Sequence, residues 1–377
     1  MNKLQIKFDS DTGYLTHNYH PYPCKFVPQI PNQIISKYSK EGDTILDPFV
    51  GSGTTLTEAS LLNRNAIGID LNPVAVLSSK VKTTVLNTKD KKLVFDILKK
   101  IQFNNIKDYQ YFLDKKIDKT NIPKWSNIDH WFLPYVIAEL SSLKHIIDEI
   151  DNSKVRNFLL LGFSNVIIPI SNQDSETRYV AVKKDIKKMD LFRLFTKKID
   201  NMLMRNDEYA NQRSKSKIKV YHDDARKLNK IKDKSIHLIL TSPPYLNTFD
   251  YYLYHKLRIH WLGFKPGDVR NQEIGCHHTA NKFEIGYTKY LSALSSIFSE
   301  FSRVLKDDGY VFLVIGDAML EKIQVNSLSL VKELAKQNNF QIVSILEQKL
   351  KKSTRSFNVK FSALDKNEYM IMLNKQS

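Results

Sequence analysis

Residues 44–71 constrain the fold of this chain more than any other segment. A short apolar run, TILD (44–47), is followed by a glycine-containing stretch, PFVGSG (48–53), by TTLTEASLLN (54–63) and by a second apolar run, NAIGIDL (65–71). The two apolar runs have the length of buried strands, and the segment between them has helical character. The pattern predicts a compact strand–turn–helix–strand unit.

Strands and helices alternate again after residue 217. The strand candidates are KIKVYHDD, SIHLILTSPPY, GYVFLVIGD and EYMIMLNK, and the helix YLSALSSIFSEFSRVLK precedes the third of them. Such alternation predicts an α/β fold with a doubly wound, mostly parallel sheet. Residues 87–217 instead have helical periodicity, so we expect one domain built from residues 1–86 and 218–377 and interrupted by a helical lobe, residues 87–217.

Composition excludes several classes of protein and favours one kind of partner. There is no apolar run of the eighteen residues that a membrane span needs, and the N-terminus has no leader-like segment, so we expect a cytoplasmic protein. Cys24 and Cys276 are far apart, which argues against a disulfide framework and a zinc site; no metal is expected. The formal charge of +17 favours a polyanion such as nucleic acid, although lysine-rich chains also arise from A/T-rich codons.

The turn after the first strand has the features of a nucleotide-like binding site. Gly51 and Gly53 permit a tight turn and a close approach of the backbone to a ligand. Asp70 follows Gly51 by 19 residues, at the tip of the second strand, where its carboxylate can accept hydrogen bonds from ribose hydroxyls. The alternatives are a structural glycine turn and an aspartate that caps a helix.

Asp47 indicates which ligand this site prefers. A carboxylate directly before the turn, without a GxxxxGK[ST] lysine, suits a cationic amino-acid group better than a pyrophosphate. The cofactor predicted is therefore S-adenosyl-L-methionine and not NAD or ATP. The predicted cofactor-binding residues in this unit are Asp47, Phe49, Gly51, Ser52, Gly53, Thr54, Thr55 and Asp70.

The segment TSPPY (241–245) directly follows the apolar run IHLIL, which places it at the carboxyl edge of the sheet. An exocyclic amino group attacks poorly because its lone pair is delocalised into the base. The Ser242 hydroxyl and the Pro243 carbonyl can hold the two amino hydrogens and direct that lone pair at a methyl group. Pro244 stiffens the turn, and Tyr245 offers a stacking face to a base rotated out of the duplex. The alternative is a rigid structural turn.

These segments together resemble the family of DNA amino-methyltransferases that act on cytosine N4 or adenine N6. The matching segments are HPYPCKFVPQIPNQII (20–35), DPFVGSGTT (47–55), GIDLNP (68–73), TSPPY (241–245) and FSRVLKDDGYVFLVIGD (301–317). The resemblance covers about residues 17–84 and 218–375. It implies a Rossmann-like class I methyltransferase fold with a seven-stranded sheet, and it implies that Asp223 and Asp224 contact the adenine of the cofactor.

Two departures leave the DNA-reading element open. Many members place SPPY before the glycine-rich loop, whereas this chain has the loop first. Many loop-first members carry their insertion just ahead of the catalytic turn, whereas the insertion in this chain ends before residue 218. We expect the helical lobe, assisted by the loop after Tyr245, to read the DNA. The candidate DNA contacts are Arg178, Tyr251, His255, Lys256 and Arg258, with core packing or a plain surface loop as the alternative for each.

The sequence therefore predicts a site-specific DNA methyltransferase acting on double-stranded DNA. Cytosine N4 is favoured because SPPY resembles the cytosine enzymes, whereas NPPY and DPPY resemble the adenine enzymes. The alternatives are an adenine N6 enzyme, an RNA methyltransferase and a catalytically silent nucleic-acid-binding module. By resemblance, a restriction endonuclease acting on the same site is the expected partner in a restriction-modification system.

Overall fold

A seven-stranded sheet lies at the centre of the computed structural model, which describes residues 6–7, 11–103, 106–277, 283–321, 323–349 and 366–376. The strands are β1 (Thr44–Asp47), β2 (Asn65–Asp70), β3 (Gln173–Ser175), β4 (Arg178–Ala181), β5 (Ile218–His222), β6 (Ile236–Thr241), β7 (Leu305–Gly316), β8 (Ala318–Leu320), β9 (Ile323–Val325), β10 (Phe340–Lys349) and β11 (Asn367–Lys375). The sheet has the order β10-β11-β7-β6-β1-β2-β5. Strand β11 runs antiparallel to β10 and β7, and the other neighbouring pairs of this sheet are parallel. This arrangement confirms the mostly parallel, Rossmann-like sheet.

Fourteen helices accompany the strands within the described residues. They are α1 (Gln29–Tyr38), α2 (Thr54–Leu61), α3 (Pro73–Lys82), α4 (Thr88–Lys100), α5 (Ile106–Lys116), α6 (Ile128–Trp131), α7 (Pro134–Asp148), α8 (Ser153–Val166), α9 (Asp190–Gln212), α10 (Tyr251–Tyr254), α11 (Lys256–Trp261), α12 (Pro266–Gln272), α13 (Phe283–Val304) and α14 (Ser327–Gln337). Short 3-10 turns lie at Leu15–Asn18 and Lys119–Asn121. No helix in the described ranges is long and apolar enough to cross a membrane.

Both faces of the sheet are covered, because successive strand residues point to opposite sides. On one face, Leu240 and Phe312 pack with residues of α1 and α2. On the other face, Ile239 and Val311 pack with residues of α13 and α14. The near-continuous apolar runs of β6 and β7 are explained by this double burial.

Helices α4–α9 pack around a separate core within residues 87–217. Buried residues from outside this range complete the core: Tyr19, Val81, Leu86, Leu257 and Trp261. The hydroxyl of Tyr19 donates to the carbonyl of Met202 at 2.8 Å. The lobe is thus anchored to the segments before β1 and after β6.

Several elements escaped the sequence prediction. The segment of Arg178, for which a plain surface loop was the alternative, forms the antiparallel hairpin β3–β4. Helix α14 and strand β10 were also missed, and β10 is an edge strand whose second half is exposed. An exposed edge strand lacks the buried apolar pattern on which strand prediction depends.

Candidate active site

A cleft of about 890 Å³, including the solvent at its mouth, opens at the carboxyl ends of β1, β2 and β6. This is the edge at which open α/β sheets bind ligands. The cleft lies beside the glycine turn, the end of β2 and the TSPPY turn. The predicted residues that line it are Asp47, Phe49, Gly51, Ser52, Thr54, Asp70, Asp223, Ser242, Pro244 and Tyr251. The other predicted residues of these segments are not among those that line the cleft: Gly53, Thr55, Asp224, Pro243 and Tyr245.

The glycine turn depends on two left-handed residues, Gly51 with φ of 46° and Gly53 with φ of 84°. A Cβ on Gly53 would lie 2.9 Å from the Cα of Ser79 in α3, so only glycine fits there. Ser79 also donates its hydroxyl to the carbonyl of Gly51 at 3.1 Å. Helix α3 therefore supports the turn from behind, a role that the sequence did not reveal.

Asp70 ties the end of β2 to the glycine turn. Its Oδ2 accepts from the backbone N–H of Gly51 at 2.9 Å, and its Oδ1 accepts from that of Asn72 at 2.8 Å. Burial raises the pKa of Asp70 to about 6, even though these N–H groups favour the ionised form. Each carboxylate oxygen has two lone pairs, so both retain capacity for a ribose hydroxyl.

Asp47 joins the glycine turn to the catalytic strand. Its Oδ1 accepts from the Thr241 hydroxyl at 2.7 Å and from the Phe49 N–H at 3.2 Å. Burial raises the pKa of Asp47 to about 6, and the negative charge of Asp70 adds to this effect. Asp47 is only 2% exposed, so a cation bound in the cleft would relieve an energetic cost that the carboxylate now carries.

The two acidic residues after β5 differ in their surroundings. Asp223 lines the cleft and forms an ion pair with Lys230 at 2.8 Å. Burial acts to raise the pKa of Asp223, but the contacts with Lys230 outweigh it and the net shift is downward. Asp224 points to Arg226 in a two-pronged ion pair with distances from 2.6 to 2.9 Å. Asp223 is therefore the better placed of the two for contact with a ligand.

The TSPPY turn places Ser242 and Pro244 on the cleft wall while Pro243 is buried. The Pro244 carbonyl accepts from the Tyr290 hydroxyl at 2.9 Å, and the acceptor role of the Pro243 carbonyl stays a prediction. The Tyr245 hydroxyl donates to Oε1 of Glu368 at 3.0 Å. The turn is thus held from two sides by long-range contacts.

Several residues of the cleft were not predicted as site residues. They come from residues 22–26, within the segment HPYPCKF, and from the end of α12. Tyr22 stacks on Tyr251 with ring centroids 6.0 Å apart, and Lys25 adds a positive charge. Glu273 accepts from the N–H groups of Tyr251 at 2.6 Å and Tyr252 at 3.3 Å. Burial raises the pKa of Glu273 to about 8.

Two of the predicted DNA contacts are buried, which corrects the prediction for them. Arg258 is fully buried, and its guanidinium contacts Glu176 on the β3–β4 hairpin at 2.8 and 2.7 Å and the Ser164 carbonyl at 2.8 Å. His255 is 1% exposed. Neither presents a charge to a phosphate.

The other predicted contacts are more accessible. The side chain of Arg178 is 66% exposed, with Asp174 at 3.7 Å as its ion-pair partner. The Lys256 ammonium lies 5.4 Å above the ring of Tyr179, and Tyr251 forms part of the cleft wall. Their contact with DNA stays a prediction.

A family model described as DNA methylase matches residues 4–81 and 236–377. Type II methyltransferase M.MvaI of Kocuria varians is 24% identical over 88% of this chain and 83% of its own length. Type II methyltransferase M.MjaII of Methanocaldococcus jannaschii is 22% identical over 88% of this chain and 80% of its own. A SAM-dependent methyltransferase structure from Methanosarcina mazei covers 91% of this chain and 96% of its own, with 12% identity and a TM-score of 0.36.

Proposed function

This chain belongs to the N6/N4 DNA methylase family, and we propose that it methylates the N4 amino group of a cytosine rotated out of duplex DNA, with S-adenosyl-L-methionine as methyl donor. The observation that carries the proposal is the hydrogen bond between Thr241 and Asp47 at 2.7 Å. It joins the TSPPY turn to the glycine turn, so the candidate base-binding and cofactor-binding groups share one cleft.

The residues of the cleft fit S-adenosyl-L-methionine. In a chain with a formal charge of +17, the cleft is lined by the carboxyl groups of Asp47, Asp70, Asp223 and Glu273. Asp47 is buried and Asp70 is half-buried, and a cationic ligand would stabilise the ionised forms of both carboxyl groups. A Cβ on Gly51 would lie only 3.2 Å from the ring of Tyr22, so a side chain at this position would crowd the wall of the cleft.

Each part of the cofactor has a candidate partner. Asp70 would accept from the ribose hydroxyls and Asp223 from the adenine amino group. Asp47 would stabilise the cationic amino-acid end, and Lys25 would attract its carboxylate. When bound, S-adenosyl-L-methionine supplies an electrophilic methyl group on a sulfonium centre.

The TSPPY turn would hold the target amine. Ser242 faces the cleft, and with the Pro243 carbonyl it would accept from the two amino hydrogens and orient the nitrogen lone pair. The target has to leave the helix because its amino group is otherwise stacked and paired within the duplex. The ring of Tyr245 would then provide a stacking surface for the base.

Cytosine is preferred over adenine because of the tetrapeptide itself. Serine stands at its first position, as in the cytosine enzymes that this turn resembles. The hydrogen-bonding chemistry serves either base, so the choice of cytosine depends on the resemblance.

The helical lobe would read the DNA sequence. Its β3–β4 hairpin carries the exposed Arg178 and is joined to helix α11 by the ion pair between Glu176 and Arg258. Positive charge on this face would contact phosphates while hairpin side chains reach base edges. Curated relatives are named Type II methyltransferases, and we infer the same setting here: a cytoplasmic modification enzyme paired with a restriction endonuclease.

Transfer of tritium from labelled S-adenosyl-L-methionine to plasmid DNA tests this function. The labelled DNA is digested to nucleosides and analysed by mass spectrometry, with Ser242→Ala measured in parallel. We expect N4-methylcytosine, and we expect its loss in the variant. N6-methyladenine would overturn the choice of base, and label in RNA but not in DNA would overturn the choice of substrate.

A further inference from the structure

Glu368 lies directly behind the catalytic turn, at the start of β11. Its Oε1 accepts from the Tyr245 hydroxyl at 3.0 Å. The ring of Tyr245 is held against Gly316 in the adjacent strand, where a Cβ would lie 2.8 Å from the tyrosine Cε2. Glu368 pairs with Gly316 in the β11–β7 register, so the sheet itself fixes the carboxylate beside the phenol.

Ser242 approaches the same phenol from the cleft side. Burial raises the pKa of Tyr245 above its usual value and the charge of Glu368 adds to the shift, whereas the Ser242 hydroxyl acts in the opposite direction as a hydrogen-bond partner. The Tyr245 hydroxyl thus has Ser242 as a neighbour on the cleft wall and donates to the half-buried Glu368 on the other side, and we call these three side chains one line.

Methylation of an amine releases a proton that needs an acceptor. As the new N–C bond forms, the S–C bond breaks and its electron pair stays on sulfur, so the nitrogen holds one proton more than the neutral product. A carboxylate is a strong enough base for this proton, because the methylated amino group of an aromatic base is far more acidic than an alkylammonium ion.

We propose that Glu368 accepts this proton through Tyr245 and Ser242. Ser242 Oγ takes the proton from nitrogen and passes its own to the Tyr245 hydroxyl, which passes its own to Glu368. Both hydroxyls end the step neutral, and Glu368 ends it protonated. Because Glu368 is half-buried, it can return the proton to solvent before the next turnover.

Two neutral groups face Glu368 on the cleft side. They are the Tyr245 hydroxyl and the Cys24 thiol, whose pKa burial raises to about 12. Lys366 and Tyr369, its near neighbours along the chain, both interact with Asp317. Both the thiol and the phenol remain neutral at physiological pH, so Glu368 is the acceptor on this line.

The inference rests on the proposed function, and single-turnover methyl transfer at saturating cofactor tests it. Glu368→Gln should lower the rate about 100-fold, the size typical of acid–base assistance. Tyr245→Phe keeps the stacking ring and should cause a similar loss. The double variant should be no slower than the slower single variant, because the two residues act as one unit. Glu347→Gln, an exposed carboxyl on the neighbouring β10, is the matched control and should keep the wild-type rate.

Two further measurements separate proton transfer from a structural role. Binding of S-adenosyl-L-methionine by calorimetry, and base rotation reported by 2-aminopurine fluorescence in the DNA, should be unchanged in both variants.

The outcomes are distinguishable. If the wild type is active and Glu368→Gln methylates DNA at the same rate, the relay is overturned and the proposed function stands. The same conclusion follows if the variant is slower but also binds the cofactor more weakly or rotates the base less. Multiplying losses in the double variant also overturn the relay. A wild type that transfers no methyl group to DNA overturns both the function and the relay.

Discussion

Lowering the pH from 7 to 5 should weaken binding of S-adenosyl-L-methionine to this protein. Burial raises the pKa of both Asp47 and Asp70 from the ordinary value of 3.8 to about 6 in the ligand-free cleft. A cationic ligand stabilises their ionised forms, so binding requires the carboxyl groups to release their protons. Affinity should therefore be nearly full at pH 7 and should fall as the pH drops through about 6.

The size of the effect follows from the two pKa values. At pH 5 a carboxyl group with a pKa of about 6 is about 90% protonated, so each one that must ionise weakens binding about 10-fold relative to pH 7. If Asp47 and Asp70 both ionise, the loss is about 100-fold, or about 2.7 kcal/mol. Glu273, with its pKa of about 8, stays mostly protonated over this range and adds little.

Isothermal titration calorimetry measures both the affinity and the protons released. Titrations at pH 5 in two buffers of different ionisation enthalpy should report about 0.9 protons released per participating carboxyl group. Asp70→Asn should remove one group and reduce the affinity change to about 10-fold. Asp200→Asn, on the exposed face of α9, should behave as the wild type.

A dissociation constant that stays level between pH 5 and 7, with no proton release, would refute this reasoning. It would mean that the two carboxyl groups do not have to ionise when the cofactor binds. The two carboxyl groups would then serve only to hold β1, β2 and the glycine turn together through their hydrogen bonds.

Three further predictions concern single side chains. Gly53→Ala should weaken cofactor binding at least about 10-fold because its Cβ would meet the backbone of α3 at 2.9 Å. Gly263→Ala has nearly the same φ of 85° but open space around the Cβ, so it should only lower stability by about 1–2 kcal/mol. Calorimetry measures the cofactor affinity of both variants, and thermal unfolding measures their stability. Gly316→Ala should displace the catalytic tyrosine and slow single-turnover methyl transfer while leaving cofactor affinity unchanged, and equal losses in both would contradict this. Glu176→Gln should lower the melting temperature and weaken binding of fluorescent duplex DNA, because it leaves the buried guanidinium of Arg258 without its counter-ion. The control, Asp174→Asn, removes only an exposed ion pair and should change stability by less than about 1 kcal/mol.

The sequence by itself determined the parts of the protein that depend on neighbouring residues. A strand, a glycine turn and a helix follow one another within residues 44–61, and parallel strands then bring their carboxyl ends to one edge. For this reason Gly51, Asp70 and Ser242 could be assigned to one cleft before any contact was known. The family resemblance added the adenine-side pair, of which the structure places Asp223 in the cleft.

Only the tertiary structure decided which charges are buried and which distant groups meet. Arg258 reads as a DNA contact in the sequence, yet folding buries it against Glu176, 82 residues away. The contact between Tyr245 and Glu368 spans 123 residues. No local pattern encodes such pairs, because periodicity reports which face of a strand or helix is apolar and not which element will pack on it. Burial then sets the electrostatic behaviour of the site: the pKa values of Asp47 and Asp70 come from the loss of water around them, which only the assembled fold produces.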